Sequence, residues 1–532
     1  MLNAARFLGA LAGLAAVHCG CYAADRLLPT ADEIRHEATL PTLNPLGHPL
    51  PLLASWSTGQ YRGGFDPLRQ LSLIEEGHYL LPWFYLPPPT ERFNLLYYKQ
   101  AIDRAAELRL PISFLSTQWE SLLTIEPKFF GLPADRNPNL VTTRGVVLKE
   151  VSPFGPVGYW KDAGREWTQG SLVKRLQNRY PDPPLVLFIS NNEHPKLSWP
   201  DTETSKRFVE RYGAAASDDT KRRAVGDGWI ERYRALQQGM REGLTAEKWK
   251  SNVRFIGYDA FGPAAMGRWD GWPASSLHVA GRFSPMPLAW DGASPSYYLN
   301  AWEPTTDFTV WSPEIQAMNW VFMQAEATRL NPDFWFELSV WDGHQADPAI
   351  DKREFFRKMG ESYTAERYAG FVKFGMWLLR PRVIREFRYL DDFRDFEPYV
   401  MGLAHAVDDI HNNPILRRFW RTGQLVANSA HRHPYQASIP KEYANVPRWF
   451  LLDTNRDAPR PWDLGTNIPV LSLALELGVA PEREWLVYAF SPRDDMLPVV
   501  VELPNYGKVE VQARRSGTYV VISESRRSIS VL

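Results

Sequence analysis

The chain has 532 residues, enough for one large domain and a smaller one. Its 60 basic and 61 acidic residues nearly cancel, which argues against a nucleic-acid binder that relies on counterion release. Aromatic residues make up 13% of the chain, with 21 tryptophans, and Trp-rich clefts suit the apolar faces of sugar rings.

The first residues resemble a secretory signal peptide. Arg6 supplies the positive charge, residues 7–17 are apolar but too few to span a bilayer as a helix, and the cleavage site is expected near Ala23. We therefore expect a signal peptide over residues 1–23 and a periplasmic or secreted protein with no membrane span. Both cysteines, Cys19 and Cys21, lie in this leader, so the mature protein would have no thiol chemistry. A lipoprotein is less favoured, because the residues before each cysteine make a poor lipobox.

Strands alternate with helical or long-loop segments between residues 50 and 380. Apolar and aromatic runs bounded by turn residues predict eight strands. They span residues 50–57, 79–86, 111–116, 185–190, 253–258, 297–302, 334–340 and 371–379. Helical spacing predicts helices at 94–108, at 171–179, within about 205–250 and at about 313–329. This alternation predicts an α/β fold, a parallel (β/α)8 TIM barrel, over residues 24–430.

The pattern changes beyond about residue 435. Short runs, some of them alternating, are separated by turn residues such as those at 505–507 and 515–517. The predicted strands are 449–452, 485–490, 499–503, 508–513 and 518–522. They predict a small all-β, sandwich-like domain over residues 435–532.

Two glutamates belong to the strands of the predicted barrel. Glu193, preceded by Asn192, follows the fourth strand, and Glu337 lies in the seventh. The C-terminal ends of the strands carry the chemistry in (β/α)8 barrels. Because strands four and seven lie nearly opposite one another, we expect the two carboxyl groups to face each other across the cleft.

This pair resembles the catalytic pair of clan A glycoside hydrolases, which are retaining (β/α)8-barrel enzymes. In that clan the acid/base is a Glu preceded by Asn at the fourth strand, and the nucleophile is a Glu at the seventh. The resemblance covers about residues 50–380 and identifies no family within the clan. It implies that Glu193 is the acid/base and Glu337 the nucleophile. It also implies that Trp377, late on the eighth predicted strand, is the aromatic platform under the sugar; core packing is the alternative.

Retaining hydrolysis gives an independent reason for two carboxyl groups. One attacks the anomeric carbon and the other protonates the leaving oxygen, with the two groups about 5–5.5 Å apart. Burial and the neighbouring anion keep the acid protonated near neutral pH. Asn192 is placed to hydrogen-bond the sugar 2-hydroxyl. The alternatives are a solvated loop carboxylate for Glu193 and a structural pairing with an arginine for Glu337.

Further residues complete the candidate substrate site. Tyr298, on the sixth strand, is expected to hold the nucleophile in its ionised state, and Trp302 lies nearer the end of that strand. Asp259, just after the fifth strand, either contacts a hydroxyl or caps a turn. Tryptophans near the ends of early strands would build distal sugar subsites. These are Trp56, Trp83 and Trp119.

The sequence predicts no metal ion and no cofactor. The histidines lack metal-ligand spacing, and neither a phosphate-binding glycine motif nor a nucleophile elbow is present. We predict an exported retaining glycoside hydrolase that cleaves a β-linked oligo- or polysaccharide. The alternatives are a carbohydrate-binding barrel without catalysis and a polysaccharide lyase that uses the same carboxylates.

Overall fold

The structure is a computed structural model. It describes residues 28–56, 67–86, 95–116, 131–190, 199–258, 289–298, 321, 324–325, 327–344, 363–387, 393–426, 428–432, 447–448, 471–491 and 496–532. Every structural statement below concerns these residues.

Parallel strands occupy eight positions around a barrel. In chain order they are β1 (Leu52–Ser55), β2 (Trp83–Tyr85), β3 (Ile112–Ser116), β6 (Val186–Ser190), β7 (Val253–Gly257), the pair β8 (Gly292–Ala293) and β9 (Ser296–Tyr298), β10 (Trp335–Trp341) and β11 (Val383–Glu386). Each strand pairs with its neighbours in this order, β11 pairs with β1, and a parallel bridge between Leu53 and Leu80 closes the ring. A hairpin of β4 (Asn139–Val141) and β5 (Val147–Val151) lies outside the ring, in the connection between β3 and β6.

Helices cover the outside of the ring. They are α1 (Pro29–Thr39), α2 (Pro67–Glu76), α3 (Leu95–Glu107), α4 (Val157–Thr168), α5 (Ser171–Arg179), α6 (Lys206–Tyr212), α7 (Asp218–Gly243), α8 (Glu247–Asn252), α9 (Ala365–Leu379), α10 (Phe393–Asn412) and α11 (Pro414–Thr422). None of them is long and apolar enough to cross a membrane.

Aromatic rings on three neighbouring strands pack against the helices. The rings of Phe114 and Phe188 lie 5.7 Å apart on neighbouring strands, and Phe188 lies 5.9 Å from Phe255. Trp249 of α8 stacks on Phe114 at 5.6 Å, and Trp167 of α4 meets Phe188 edge-on at 5.6 Å. Because side chains alternate along a strand, the residues next to these phenylalanines point into the barrel.

The predicted eighth strand at 371–379 is wrong, because this segment is part of helix α9. Thr364 caps its N-terminus by accepting a hydrogen bond from the Arg367 N–H, at 3.2 Å. The helix is buried on most sides, and between residues 371 and 379 only Lys373 is charged, so this stretch imitates a buried strand. The true eighth strand, β11, carries the charged residues Arg385 and Glu386, which hid it from a search for apolar runs.

The C-terminal residues form a two-layer β domain. One layer is an antiparallel sheet of β12 (Gln424–Leu425), β15 (Leu471–Leu477), β16 (Glu484–Phe490), β19 (Thr518–Ser523) and β20 (Ser528–Val531). The other is the hairpin of β17 (Leu497–Leu503) and β18 (Gly507–Ala513). A separate pair joins β13 (Asn428–Arg432) to β14 (Pro447–Arg448). The predicted barrel with a C-terminal β domain is confirmed; the strand predicted at 449–452 lies outside the described residues.

The side chains of β16 point alternately towards the barrel and towards the β17–β18 hairpin, so this strand packs against both. Leu486, Tyr488 and Phe490 belong to the barrel's core cluster, whereas Trp485 and Val487 pack with the β17–β18 hairpin. The Tyr488 hydroxyl donates to the carbonyl of Gly370 in α9, at 2.6 Å. A Cβ at Gly370 would lie 2.1 Å from the Arg515 carbonyl oxygen, so only glycine permits this close approach.

Candidate active site

Glu337 lies inside the barrel and not at the end of its strand. Strand β10 continues for four residues past Glu337, to Trp341. On the outer face Leu338 packs towards Gly375 of helix α9, so Glu337 and Ser339 face the interior. The Glu337 side chain is 0% exposed. The expected strand-end position is therefore corrected to a buried position about 13 Å along the strand before its C-terminal end.

Arg385 of β11 compensates the buried charge of Glu337. Its Nε donates to Glu337 Oε2 at 2.6 Å, and its Nη2 donates to Oε1 at 2.9 Å. The indole N–H of Trp335 also donates to Oε1, at 3.0 Å. Glu337 is thus paired with an arginine, which was the alternative considered from the sequence. This pairing fixes the orientation of the carboxylate.

A layer of hydroxyl groups lies above the charged pair. Ser339 Oγ accepts a hydrogen bond from the Trp56 indole N–H, at 2.9 Å. The same hydroxyl donates to the Ser294 carbonyl at 2.9 Å, and the two serine hydroxyls are 2.9 Å apart. The guanidinium carbon of Arg385 lies 5.6 Å from the centre of the Trp56 ring. Trp56 is thus held by both the hydroxyl layer and the charged pair.

Among the described residues, five aromatic side chains lie at the mouth of the barrel, and we call them the aromatic cup. Each ends or directly follows a strand at its C-terminal end: Trp56, Tyr258, Tyr298, Trp341 and Phe387. Tyr258 meets Trp56 edge-on at 5.7 Å and donates its hydroxyl proton to Tyr298, at 2.9 Å. Trp341 lies 5.5 Å from Tyr298 and 5.9 Å from Phe387, again edge-on. The cup presents ring faces and hydroxyl groups on the face where barrels bind their substrates.

Trp341 has an unused hydrogen-bond donor in this cup. The residue is only 6% exposed, yet its indole N–H has no hydrogen-bond partner among the residues that the structure describes. Buried polar groups are nearly always hydrogen-bonded, and exceptions often belong to functional sites. A sugar in the cup would offer C–H groups to the rings and a hydroxyl to this donor.

Several predicted site residues lie outside the residues that the structure describes. These are Asn192, Glu193, Asp259, Trp302 and Trp119. Strand β6 ends at Ser190 and strand β7 at Gly257. In the chain, Asn192 and Glu193 therefore follow the C-terminal end of the fourth barrel strand, and Asp259 follows the fifth.

The structure places Trp377 in helix α9 and Tyr298 in the aromatic cup. Trp377 lies in helix α9, is 0% exposed, and donates its indole N–H to the Tyr519 hydroxyl at 2.8 Å. The expected platform role for Trp377 is wrong, because its ring packs between the barrel and the β domain. Tyr298 lies level with Trp341, and its hydroxyl bonds to Tyr258 while Glu337 bonds to Arg385 and Trp335.

Trp56 and Trp83 have different surroundings. Trp56 belongs to the cup, whereas Trp83 is 0% exposed within strand β2 and belongs to the core. Sequence reasoning missed Arg385, because the eighth strand was placed one helix too early. It also missed Tyr258 and Trp341 as site residues, although each ends a predicted strand or follows one directly.

The described residues include no cluster of three or more His, Cys, Asp or Glu side chains that could hold a metal ion.

No protein-family model matches the sequence, and no curated protein matches it. Solved structures similar to the chain include three glycoside hydrolases. GH26A from Muricauda sp. has 10% identity and a TM-score of 0.32, over 73% of this chain and 96% of that one. The GH36 alpha-galactosidase AgaA from Geobacillus stearothermophilus has 11% identity and a TM-score of 0.35, over 91% of this chain and 55% of that one. Endo-glycoceramidase II from Rhodococcus sp. has 11% identity and a TM-score of 0.34, over 90% of this chain and 98% of that one. Likeness at this level carries no argument about activity, so we base the proposed function on the side chains of the barrel.

Proposed function

We propose that this chain is a retaining glycoside hydrolase that acts on a β-linked glycan bound in the aromatic cup. The observation that carries the proposal is a buried carboxylate, Glu337, on the inner face of a barrel whose C-terminal mouth is lined by five aromatic side chains. Aromatic faces stack on the C–H groups of sugar rings, and retaining hydrolysis requires a carboxylate nucleophile.

Glu337 is the nucleophile in this proposal, and Glu193 is the acid/base. The Glu337 carboxylate attacks the anomeric carbon while Glu193 gives its proton to the departing glycosidic oxygen. Glu193 then takes a proton from the water that releases the sugar from Glu337. Arg385 and Trp335 hold the attacking carboxylate in one orientation. Because Glu337 is fully buried, the sugar has to displace part of the cup to reach it.

The buried ion pair also favours a second candidate function. Both oxygens of Glu337 already accept hydrogen bonds, and the side chain has no exposed surface. A carbohydrate-binding barrel without catalysis would use the Glu337–Arg385 pair only as a structural element beneath its aromatic cup.

A screen followed by covalent labelling distinguishes these functions. The purified chain is tested against aryl β-glycosides and polysaccharides, and then treated with the 2-deoxy-2-fluoro analogue of the substrate it cleaves. Peptide mass spectrometry should find the label on Glu337. A label on another residue would move the nucleophile there, and ultraviolet-absorbing unsaturated products would identify a lyase. Binding of a glycan without turnover would support the second candidate.

We also propose that the chain is exported to the periplasm or secreted, on the basis of its N-terminal leader. Fractionation of cells that express the full chain tests this, and a cytoplasmic, unprocessed product would contradict it.

A further inference from the structure

A cavity of about 610 Å³ opens beside the barrel, among segments that follow strands β3 and β6. Its walls include Phe154, which follows the β4–β5 hairpin, together with residues of helices α6 and α7. Segments that follow barrel strands leave from the C-terminal face, which is also the face of the aromatic cup. None of the cup residues lines this cavity, so it is a separate site.

Arg232 of helix α7 is the buried basic group of this cavity. Its side chain is 6% exposed. Nη1 donates to the Gly228 carbonyl at 2.8 Å and to the Glu231 carboxylate at 3.2 Å, and Nη2 donates to the Gly155 carbonyl. These bonds hold the guanidinium plane, but its Nε–H has no hydrogen-bond partner in the described part of the chain. A fixed, buried and unused N–H is a ready donor for a ligand.

Two further arginines, Arg207 and Arg211, line the same cavity. The pKa of Arg232 is lowered to about 10: burial is the largest cause, Glu231 opposes it, and the charges of Arg207 and Arg211 add to it. Burial also lowers the pKa of Arg207. Three guanidinium groups in one cavity repel each other, and an anion among them would relieve that repulsion.

The carboxylates of the cavity occupy more exposed positions than Arg232. Glu210, Asp227 and Glu231 are all exposed, Glu231 to 58%. Water screens such groups strongly, whereas a buried guanidinium is screened much less. The buried part of the cavity is therefore positive, although the lining as a whole is balanced in charge.

An aromatic wall adjoins the arginines. Phe208 lies behind the cavity surface, 5.5 Å from Phe154 and 5.0 Å from Tyr212. The guanidinium carbon of Arg211 lies 5.2 Å from the centre of the Tyr212 ring. Phe154 and Tyr212 are each half-buried, so part of each ring faces the cavity. An apolar ring face next to a positive group suits a sugar ring that carries an anion.

We propose that this cavity binds a carboxylate-bearing sugar, such as a uronic acid residue, with its carboxylate on Arg232 and Arg211 and its ring against Tyr212. A planar carboxylate matches the edge of a guanidinium group, and the adjoining aromatic ring faces favour an anion that is carried on a sugar ring. The proposed site is independent of turnover in the aromatic cup; it rests on the proposed function only for the source of the sugar, an acidic glycan.

Isothermal titration of the full chain with sodium glucuronate at low ionic strength tests this site, with glucose as the neutral control. Glucuronate should bind and glucose should not. Arg211→Gln removes an exposed charge and should weaken glucuronate binding roughly tenfold. Arg232→Lys keeps the charge but loses the guanidinium edge, and should also weaken it. Arg223→Gln is the matched control, because Arg223 is an exposed arginine of helix α7 that does not line the cavity.

The outcomes separate this proposal from the glycosidase proposal, because binding is measured without turnover. Circular dichroism and melting curves establish that each variant is folded. Absence of glucuronate binding at concentrations up to roughly 20 mM would overturn the proposal. Equal binding of glucose, or unchanged affinity in both arginine variants, would overturn it too. Loss of glucuronate binding in Trp341→Phe with retention in Arg211→Gln would place the ligand in the aromatic cup and contradict this site.

Discussion

Arg385 and Glu337 form a fully buried two-point ion pair across neighbouring strands of the barrel, with N–O distances of 2.6 and 2.9 Å. Each partner pays a large desolvation cost, which the other offsets through charge and hydrogen-bond geometry. Removal of one partner leaves the other charged and unpaired inside the barrel. The pair therefore couples any test of catalysis at Glu337 to the stability of the fold.

Glu337→Gln is expected to abolish turnover and to destabilise the fold. The substitution removes the nucleophile's charge at nearly constant volume and should lower kcat by at least about 10³-fold. It also leaves the Arg385 charge without its counter-ion, at a cost of about 3–5 kcal/mol in unfolding free energy. Activity on the best substrate and urea unfolding of the same preparation measure the two effects.

The double variant Glu337→Gln with Arg385→Met separates these effects. It removes the unpaired charge, so most of the lost stability should return while turnover stays absent. Return of activity together with stability would show that Glu337 is a structural partner and not the nucleophile.

Trp377→Ala is expected to destabilise the chain without a specific effect on catalysis. Trp377 is fully buried, lies 5.2 Å from Trp420, and bonds to Tyr519 of the β domain. Its truncation should cost about 3–5 kcal/mol. Trp377→Phe, which loses mainly the hydrogen bond, should cost about 1 kcal/mol. Normal stability with a strongly raised KM would return Trp377 to a substrate-binding role.

Sequence patterns predicted seven of the eight barrel strands, because those strands are short apolar or aromatic runs between turn residues. The eighth, Val383–Glu386, was missed because it is built around Arg385, whose charge is tolerated inside the barrel only through Glu337. That compensation is a contact between strands, and a single sequence does not display it. Helix α9 was mistaken for the missing strand, since a helix buried on most sides has too narrow a polar face to reveal helical spacing.

The positions of the site residues were also only partly predictable from the sequence. Glu337 and Tyr298 were found because they lie in recognisable strands, but their depth in the barrel depends on where each strand ends. Strand β10 runs to Trp341, and this extension places Glu337 in the interior and Tyr298 level with the cup. The depth of a side chain in the barrel depends on strand register and on where the strand ends. The pattern of apolar residues did not locate the end of β10 closely enough to show that four residues follow Glu337.

Trp341→Phe is expected to weaken substrate binding through loss of its indole donor. If a substrate hydroxyl accepts from this N–H, KM should rise by about two- to tenfold while kcat changes less. Trp290→Phe is the matched control: its indole N–H also lacks a partner, but its ring packs 4.9 Å from Tyr233 of helix α7. An unchanged KM in Trp341→Phe, or an equal rise in the control, would exclude this role.

His48 is expected to make the stability of the fold depend on pH. Burial, followed by the charges of nearby arginines, lowers the pKa of His48 from 6.5 to about 3. These arginines are Arg380, Arg382 and Arg421. Between these two pKa values the unfolded chain binds more protons than the folded chain, so stability falls as pH falls from 6.5 towards 3. Above pH 6.5 His48 makes no such contribution.

Urea unfolding of the wild type and His48→Gln across this pH range isolates the effect. Other groups titrate in both chains, but only the wild type carries the histidine. The wild type should lose stability relative to the variant by at most about 1.4 kcal/mol per pH unit below pH 6.5. A difference between the two chains that does not vary with pH would contradict a neutral, half-buried His48.

Glu193→Ala should affect substrates according to the leaving group, if Glu193 is the acid/base. Substrates whose leaving group needs a proton should be cleaved very slowly, whereas aryl glycosides with acidic phenols should form the glycosyl-enzyme nearly as fast as before. The second step has lost its base, so the glycosyl-enzyme should accumulate and give a burst of phenol. Added azide needs no base and should release a glycosyl azide of retained configuration. Rates across a series of phenols, with and without azide, and the stereochemistry of the adduct test this. An equal loss across all leaving groups, or an inverted azide product, would show that Glu193 is not the acid/base of a retaining enzyme.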